Sequence, residues 1–175
     1  MKKAVFRGIL ALALAGSLVF SGCASPVNLS AAEQEIVKIQ EEAGKKIDDL
    51  SKKLSESTDY AELNELAGEV SKWIDARLDD LNKLKDEAEA SEFFVQTRLI
   101  LESGQRIAAK VEELTKEIGT LSEQIQTAAD DAKAAVEQEI QEIKKSIDGF
   151  RLRLSEMKEK FDALREKIFE ANKQQ

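Results

Sequence analysis

From Ser30 onward, apolar residues recur at steps of three and four, the spacing that places them on one face of an α-helix. The first apolar stripe runs from Ile36 to Leu54 and ends at residues 55–58, a polar segment whose serines and threonine favour turns. Ser30 and Glu33 have the spacing of a capping box, in which each residue satisfies a backbone amide of the other. The pattern therefore predicts a first helix that begins just after Ser30 and ends before the 55–58 segment.

A second apolar stripe runs from Tyr60 to Val95, and another apolar row beside it makes this face wide. A wide apolar face is typical of a helix that packs against two neighbours. Gly104 follows this stripe and is a predicted helix end, because glycine favours the position just after a helix. The densest apolar cluster of the chain lies just before this glycine and consists of Phe93, Phe94, Val95, Leu99, Ile100 and Leu101.

The third apolar stripe is the longest and covers residues 107–168. It predicts one very long helix over residues 105–172, and a turn at Asp130-Asp131 is the alternative that the sequence leaves open. The stripe of such a helix must be buried, either against the other helices of the chain or against a second copy bound through the 107–168 seam. The expected fold of residues 30–175 is therefore all-α: an elongated helical bundle or antiparallel coiled coil of about three helices, with the last one very long.

The composition agrees with long helices and excludes much catalytic chemistry. The chain has 34% charged residues, one proline, one cysteine and no histidine. Without histidine, the commonest general base, the Ser-His and Cys-His nucleophile pairs and most zinc ligand sets are missing. A glycine-rich phosphate loop is missing as well. We therefore expect no enzyme activity, no cofactor or metal site, and no small-molecule substrate.

The formal net charge of −8 limits the classes of partner. Nucleic acids are bound by clustered lysine and arginine side chains, whereas here both signs are interspersed along an acidic chain. We therefore expect no nucleic-acid partner. An acidic chain is also a poor electrostatic binder of anionic lipid, so attachment to a membrane requires a lipid anchor.

The first 23 residues have the layout of a secretory signal. Three basic residues lie among the first seven, an apolar run covers residues 9–20, and Ser21-Gly22-Cys23 follows. The apolar run is shorter than the roughly 20 residues that a membrane-spanning helix needs. The small pair before the lone cysteine resembles the lipobox of bacterial lipoproteins.

This resemblance implies that residues 1–22 are removed as a signal peptide, that Cys23 is lipidated on its sulfur, and that residues 23–29 tether the lipid to the helical domain. Ala24-Ser25 lacks the aspartate that resembles an inner-membrane retention signal. The implied location is therefore an outer membrane, with the helices facing the periplasm or the cell surface. Cleavage after Ala24, which would release the chain without a lipid, is the alternative that the small flanking residues leave open.

The expected function is a structural or protein-binding adaptor role for a membrane-anchored helical protein with an unknown protein partner. The six apolar residues at 93–101 are candidates for contact with that partner or with a membrane, because exposed apolar patches mark such surfaces. The alternative for this cluster is a buried apex where two helices turn. Two other functions stay open: a surface-exposed lipoprotein that binds a host or environmental protein, and a helical protein that interacts with membranes or forms pores.

Overall fold

The computed structural model describes residues 29–85 and 92–174, and within these residues every regular element is an α-helix. The all-α prediction is therefore confirmed, although the described residues form four long helices where about three were expected. These helices are α1 (Ala31–Glu56), α2 (Tyr60–Lys83), α3 (Glu92–Thr127) and α4 (Asp130–Lys173). The predicted signal segment 1–22 and Cys23 lie outside the described residues.

The start of α1 is the capping box that the sequence predicts. The Ser30 hydroxyl accepts a hydrogen bond from the Glu33 amide at 3.2 Å, and the Glu33 carboxylate accepts one from the Ser30 amide at 3.0 Å. At the start of α2, Asp59 Oδ1 accepts hydrogen bonds from the amides of Ala61 and Glu62 at 2.9 and 3.2 Å. These side chains satisfy amides that lack intrahelical partners, so they fix where both helices begin.

The predicted helix end at Gly104 is wrong, because α3 continues through this residue. A Cβ atom at position 104 would lie 3.3 Å from Ile74 Cδ1 and 3.6 Å from Ile47 Cδ1. Glycine at this position therefore allows close packing of helices. The second apolar stripe is instead divided between two helices, since α2 ends at Lys83 and α3 begins at Glu92.

The single helix expected over residues 105–172 is also wrong, and the alternative turn near Asp130-Asp131 is confirmed. The chain leaves the helix after Thr127, and Ala129 at the start of α4 is extended, with φ −67° and ψ 155°. The reversal folds the long stripe back on itself, so that its apolar residues are buried within one chain. Ile118, Leu121, Ile140, Ile143 and Ile147 are buried in this way.

Helices α1 and α4 are antiparallel neighbours. Arg165 Nη1 lies 3.3 Å from a carboxylate oxygen of Glu41, and Ser155 Oγ lies 3.2 Å from Ser51 Oγ. Because the residue numbers on the two helices change in opposite directions, the contacts define an antiparallel pair. These polar contacts lie at the edge of the buried apolar face and fix the alignment of the two helices.

Helices α2 and α3 are also antiparallel neighbours. Thr115 Oγ1 donates a hydrogen bond to Asn64 Oδ1 at 3.5 Å, and Gln105 donates one to Asp75 further along the pair. The four helices therefore run alternately up and down around a shared core. That core includes Ile36, Ile47, Leu50, Ile74, Leu101, Leu154, Phe161 and Ile168.

Helices α3 and α4 extend past the turn that joins α1 to α2. Tyr60, at the start of α2, lies beside Ile118 of α3 and Lys144 of α4. Residues 119–143, which we call the distal hairpin, therefore lie beyond the four-helix part and are about 20 Å long at 1.5 Å per residue. The opposite end, which we call the tether end, holds the start of α1 and the end of α4.

Candidate functional site

Residues 93–101 lie on one continuous helix, so the apolar cluster is divided between the face of α3 that is buried in the core and the face that is exposed. Phe94 and Leu101 are buried, with 4% and 0% exposure, whereas Val95 and Leu99 are 50% and 56% exposed. Phe93 and Ile100 are partly buried and pack against the core, as expected between these two faces. The structure therefore places only part of the predicted contact residues where a partner or a membrane can reach them.

Leu99 and Ile100 lie at the wall of a recess between α3 and α4. The recess has a volume of about 270 Å³, and Ala163 and Leu164 of α4 form its other apolar wall. Lys160 and Lys167 stand at its α4 edge. These lysines are seven residues apart, so they lie on one face of α4 about 10 Å from each other.

A second recess continues the first along the same two helices. It has a volume of about 400 Å³ and shares Lys160 with the first recess. Arg106 of α3 and Arg153 of α4 line it together with Glu156 and Met157. We call the two recesses together the α3–α4 groove. The floor of the first recess is mainly apolar and that of the second is mixed, and four cationic side chains and one carboxylate stand at the edges of the groove.

Helix α4 carries two rows of basic residues with different roles. Lys158 lies 3.5 Å from a carboxylate oxygen of Asp48, and Arg165 pairs with α1 in the same way. Lys160 and Lys167 form no salt bridge with any residue that the structure describes. The first row holds α4 against α1, and the second row leaves its charge available at the groove.

The α3 edge of the groove is less basic than the α4 edge. Glu102 lies 2.9 Å from Arg98 Nε and 3.7 Å from Arg106 Nη2, so one carboxylate serves two arginines. Arg153, on the α4 side, lies over the ring of Phe150 at 5.6 Å from its centre. These contacts hold the three arginine side chains along the surface. On the α3 edge, two arginines against one glutamate leave a net positive charge.

A different surface lies where the distal hairpin leaves the four-helix part. This recess has a volume of about 530 Å³, and its lining is mixed, with Ile118 and Ile125 beside Glu137 and Gln141. The distal hairpin contains six acidic residues and one basic residue, a net charge of −5. The molecule is therefore strongly acidic at this end, in contrast to the basic edges of the α3–α4 groove.

The sequence predicts Leu99 and Ile100 as contact residues but does not predict the basic residues of the groove. The spacing of Lys160 and Lys167 is visible in the sequence, but so is that of Lys158 and Arg165, which pair with α1. Only the packing of α4 separates the two rows. In the described ranges 29–85 and 92–174, no cluster of His, Cys, Asp and Glu is arranged to hold a metal ion, and no helix is long and apolar enough to cross a membrane.

Comparisons with known proteins gave no relative: no protein-family model, no curated protein and no solved structure matches this chain.

Proposed function

We propose that this protein is a lipid-anchored adaptor, in which Cys23 holds the helical bundle at an outer membrane and the α3–α4 groove binds a partner protein. The observation that carries the proposal is the groove itself. Leu99 is 56% exposed beside an apolar floor, in a bundle whose other large apolar residues are mostly buried. A concave apolar surface with polar edges is the usual form of a binding site.

The position of the groove fits a protein held at a membrane. Helix α1 begins at Ala31, and the six residue steps from Cys23 to Leu29 span at most about 20 Å. Leu99 lies seven residues after the start of α3, so the groove begins about 10 Å from the tether end. A lipid on Cys23 would therefore hold the groove close to the membrane, with the distal hairpin directed away from it.

Site-specific photo-cross-linking in intact cells tests this function. A photoreactive amino acid is placed at position 99 in the full chain, and a matched one at position 65, where Glu65 is exposed on α2. We expect position 99 to cross-link to one protein that mass spectrometry identifies, and position 65 not to cross-link to it. Equal yields from both positions, or no protein cross-link from position 99, would contradict the proposal.

Membrane contact is the second candidate function, and the exposure of Val95 supports it. Val95 is 50% exposed one helical turn before Leu99, on the outer face of α3 near the tether end. Leakage of dye from liposomes distinguishes this function from the first. The adaptor proposal predicts no leakage with the purified mature chain, whereas leakage that Val95→Ser and Leu99→Ser abolish would favour the membrane-active function.

A further inference from the structure

We propose that the α3–α4 groove takes an acidic amphipathic helix of the partner protein. This inference rests on the proposed function and adds the chemistry of the partner to it. Helices that bind in grooves insert apolar side chains at spacings of three, four and seven residues and keep polar side chains at the edges. The groove offers matching elements on two antiparallel helices, namely a floor that is mainly apolar in the first recess and charged edges along both recesses.

The length of the groove fits a short helix. On α4 it extends from Arg153 to Lys167, which corresponds to about 21 Å along the helix axis. A partner helix of about 14 residues, or four turns, has the same length. Leu99 and Ile100 give such a helix apolar contacts at one end, and the largely buried Ile107 and Met157 line the recess towards the other end.

The charge of the edges selects an acidic helix. Arg153, Lys160 and Lys167 line the α4 edge, and Glu156 is the one carboxylate among the lining residues of the groove. Carboxylates seven residues apart on a partner helix would lie about 10 Å apart and face Lys160 and Lys167 together. A basic helix would bring like charges together along the same edge, so charge discriminates between the two.

The shape of the site disfavours a lipid surface as its occupant. Lys160 and Lys167 flank a recess, and a flat membrane surface does not enter a recess. The mature chain, which lacks Lys2, Lys3 and Arg7, has a net charge of −11, which opposes approach to anionic lipid. A short helix fits into the recess, and its carboxylates meet the basic side chains at the edges of the groove.

Other segments of this chain fit the groove less well. Residues 1–22 are absent from the proposed mature chain, and their three basic side chains and lack of acidic ones would also give them the wrong sign. The distal hairpin is acidic, but Leu121 and Ile143 are buried between its two helices, at 8% exposure each. It would therefore have to open before a single amphipathic helix from a second copy could dock.

Peptide titration of the full mature chain tests the inference. The probe is a fluorescent 14-residue helical peptide with leucines on one face and glutamates beside them, and its matched control carries lysines in place of the glutamates. We expect the acidic probe to bind at least about tenfold more tightly than the basic probe, and its affinity to fall as salt is raised. Equal affinity for the two probes would overturn the inference.

Charge reversal locates the binding. Lys160→Glu with Lys167→Glu should weaken the acidic probe about tenfold, whereas Lys145→Glu, at an exposed position of α4 outside the groove, should leave its affinity unchanged. Because all three lysines are exposed, these variants should keep the fold, which circular dichroism checks. An equal loss in both variants would overturn the inference, since it would indicate attraction to the chain as a whole.

Two further measurements separate this inference from its alternatives. Tighter binding to phosphatidylglycerol vesicles than to the acidic probe would overturn it in favour of lipid, and self-association removed by Lys160→Glu would overturn it in favour of a second copy. A cellular cross-link at position 99 without acidic-probe binding would refute this inference and leave the adaptor function standing. Binding of the acidic probe without any cellular cross-link would refute the adaptor function instead.

Discussion

Gln40 of α1 donates a hydrogen bond from its side-chain amide to the hydroxyl of Thr97 of α3, with 2.6 Å between the two atoms. Both side chains are buried, at 2% and 0% exposure, within a mostly apolar core. This contact joins two helices that are not consecutive in the chain. The Gln40 amide nitrogen is satisfied by this bond, whereas Gln40 Oε1 is buried without a partner among the described residues, and the bond favours one alignment of α1 against α3.

Removal of one member of this pair should cost more than removal of both. Thr97→Val keeps the shape of the side chain but leaves the Gln40 amide without its partner, so we expect a loss of about 1–3 kcal/mol in the free energy of unfolding. Adding Gln40→Leu to that variant should restore part of the loss, because neither of the two positions then carries a buried polar group. Urea denaturation of the two single variants and the double variant measures this. Additive losses would show that the hydrogen bond does not couple the two positions.

Ile147→Asp should destabilise the bundle strongly. Ile147 is 3% exposed where α4 meets the end of the four-helix part, and a carboxylate there must lose its hydration without a partner. We expect a loss of about 3 kcal/mol or more, read from the melting midpoint by circular dichroism. Leu152→Asp, at a position on the same helix that is 60% exposed, is the control and should change stability by less than about 0.5 kcal/mol. Similar melting midpoints for the two variants would contradict the packing of α4.

Two glycines of α3 should respond in opposite directions to larger side chains. Gly119→Ala should stabilise the protein by about 0.5–1 kcal/mol, because its Cβ would meet no atom within 4 Å and alanine favours the helix. Gly104→Val should destabilise it by about 1–3 kcal/mol, because its Cβ alone would already lie 3.3 Å from Ile74 Cδ1. Thermal unfolding measures both. A stabilising Gly104→Val would show that α2 and α3 are not in close contact at this point.

The tether end should lose stability in acid through Glu33. Burial alone would raise the pKa of this carboxyl, but hydrogen bonds from Ser30 and from the side-chain amide of Asn172 outweigh it and lower the pKa below its ordinary range. The stabilisation is therefore present above the ordinary glutamate pKa of about 4.3 and is lost as the pH falls through the lower folded value.

Glu33→Gln provides the comparison for this pH dependence. The variant should be less stable than the original chain at neutral pH and should lose less stability on acidification. Urea denaturation at neutral pH and below pH 4 measures the difference, which we expect to be about 0.5 kcal/mol, because Glu33 is partly exposed. A difference that does not shrink in acid would mean that the ionised carboxylate of Glu33 does not stabilise the start of α1.

The sequence predicts the helices well where local chemistry ends them. The capping box at Ser30 marks the start of α1. The polar segment at 55–58 marks the end of α1, and α2 begins just after it at Tyr60. Between Lys83 and Glu92 the apolar period continues across the break, so periodicity alone could not show where α2 ends. The reversal after Thr127 has no glycine or proline either. Apolar packing between α3 and α4 accompanies it, and periodicity alone does not show that Leu121 and Ile140 belong to different helices.

The candidate site was predictable only in part for a related reason. The sequence shows that Leu99 and Ile100 belong to an unusually apolar segment, but it cannot show which of its faces is buried without the position of α2 and α4. The basic edge of the groove depends on the same information. Lys160 is available because α1 packs on the other side of α4, where Arg165 pairs with Glu41.

The intact mass of the full-length protein extracted from bacterial membranes tests the central claim most directly. We expect a chain that begins at Cys23 and carries the additional mass of acyl chains, and a Cys23→Ser variant that lacks this mass and no longer requires detergent for its extraction. A chain that begins at Met1, or after Ala24, without any lipid mass would contradict the account.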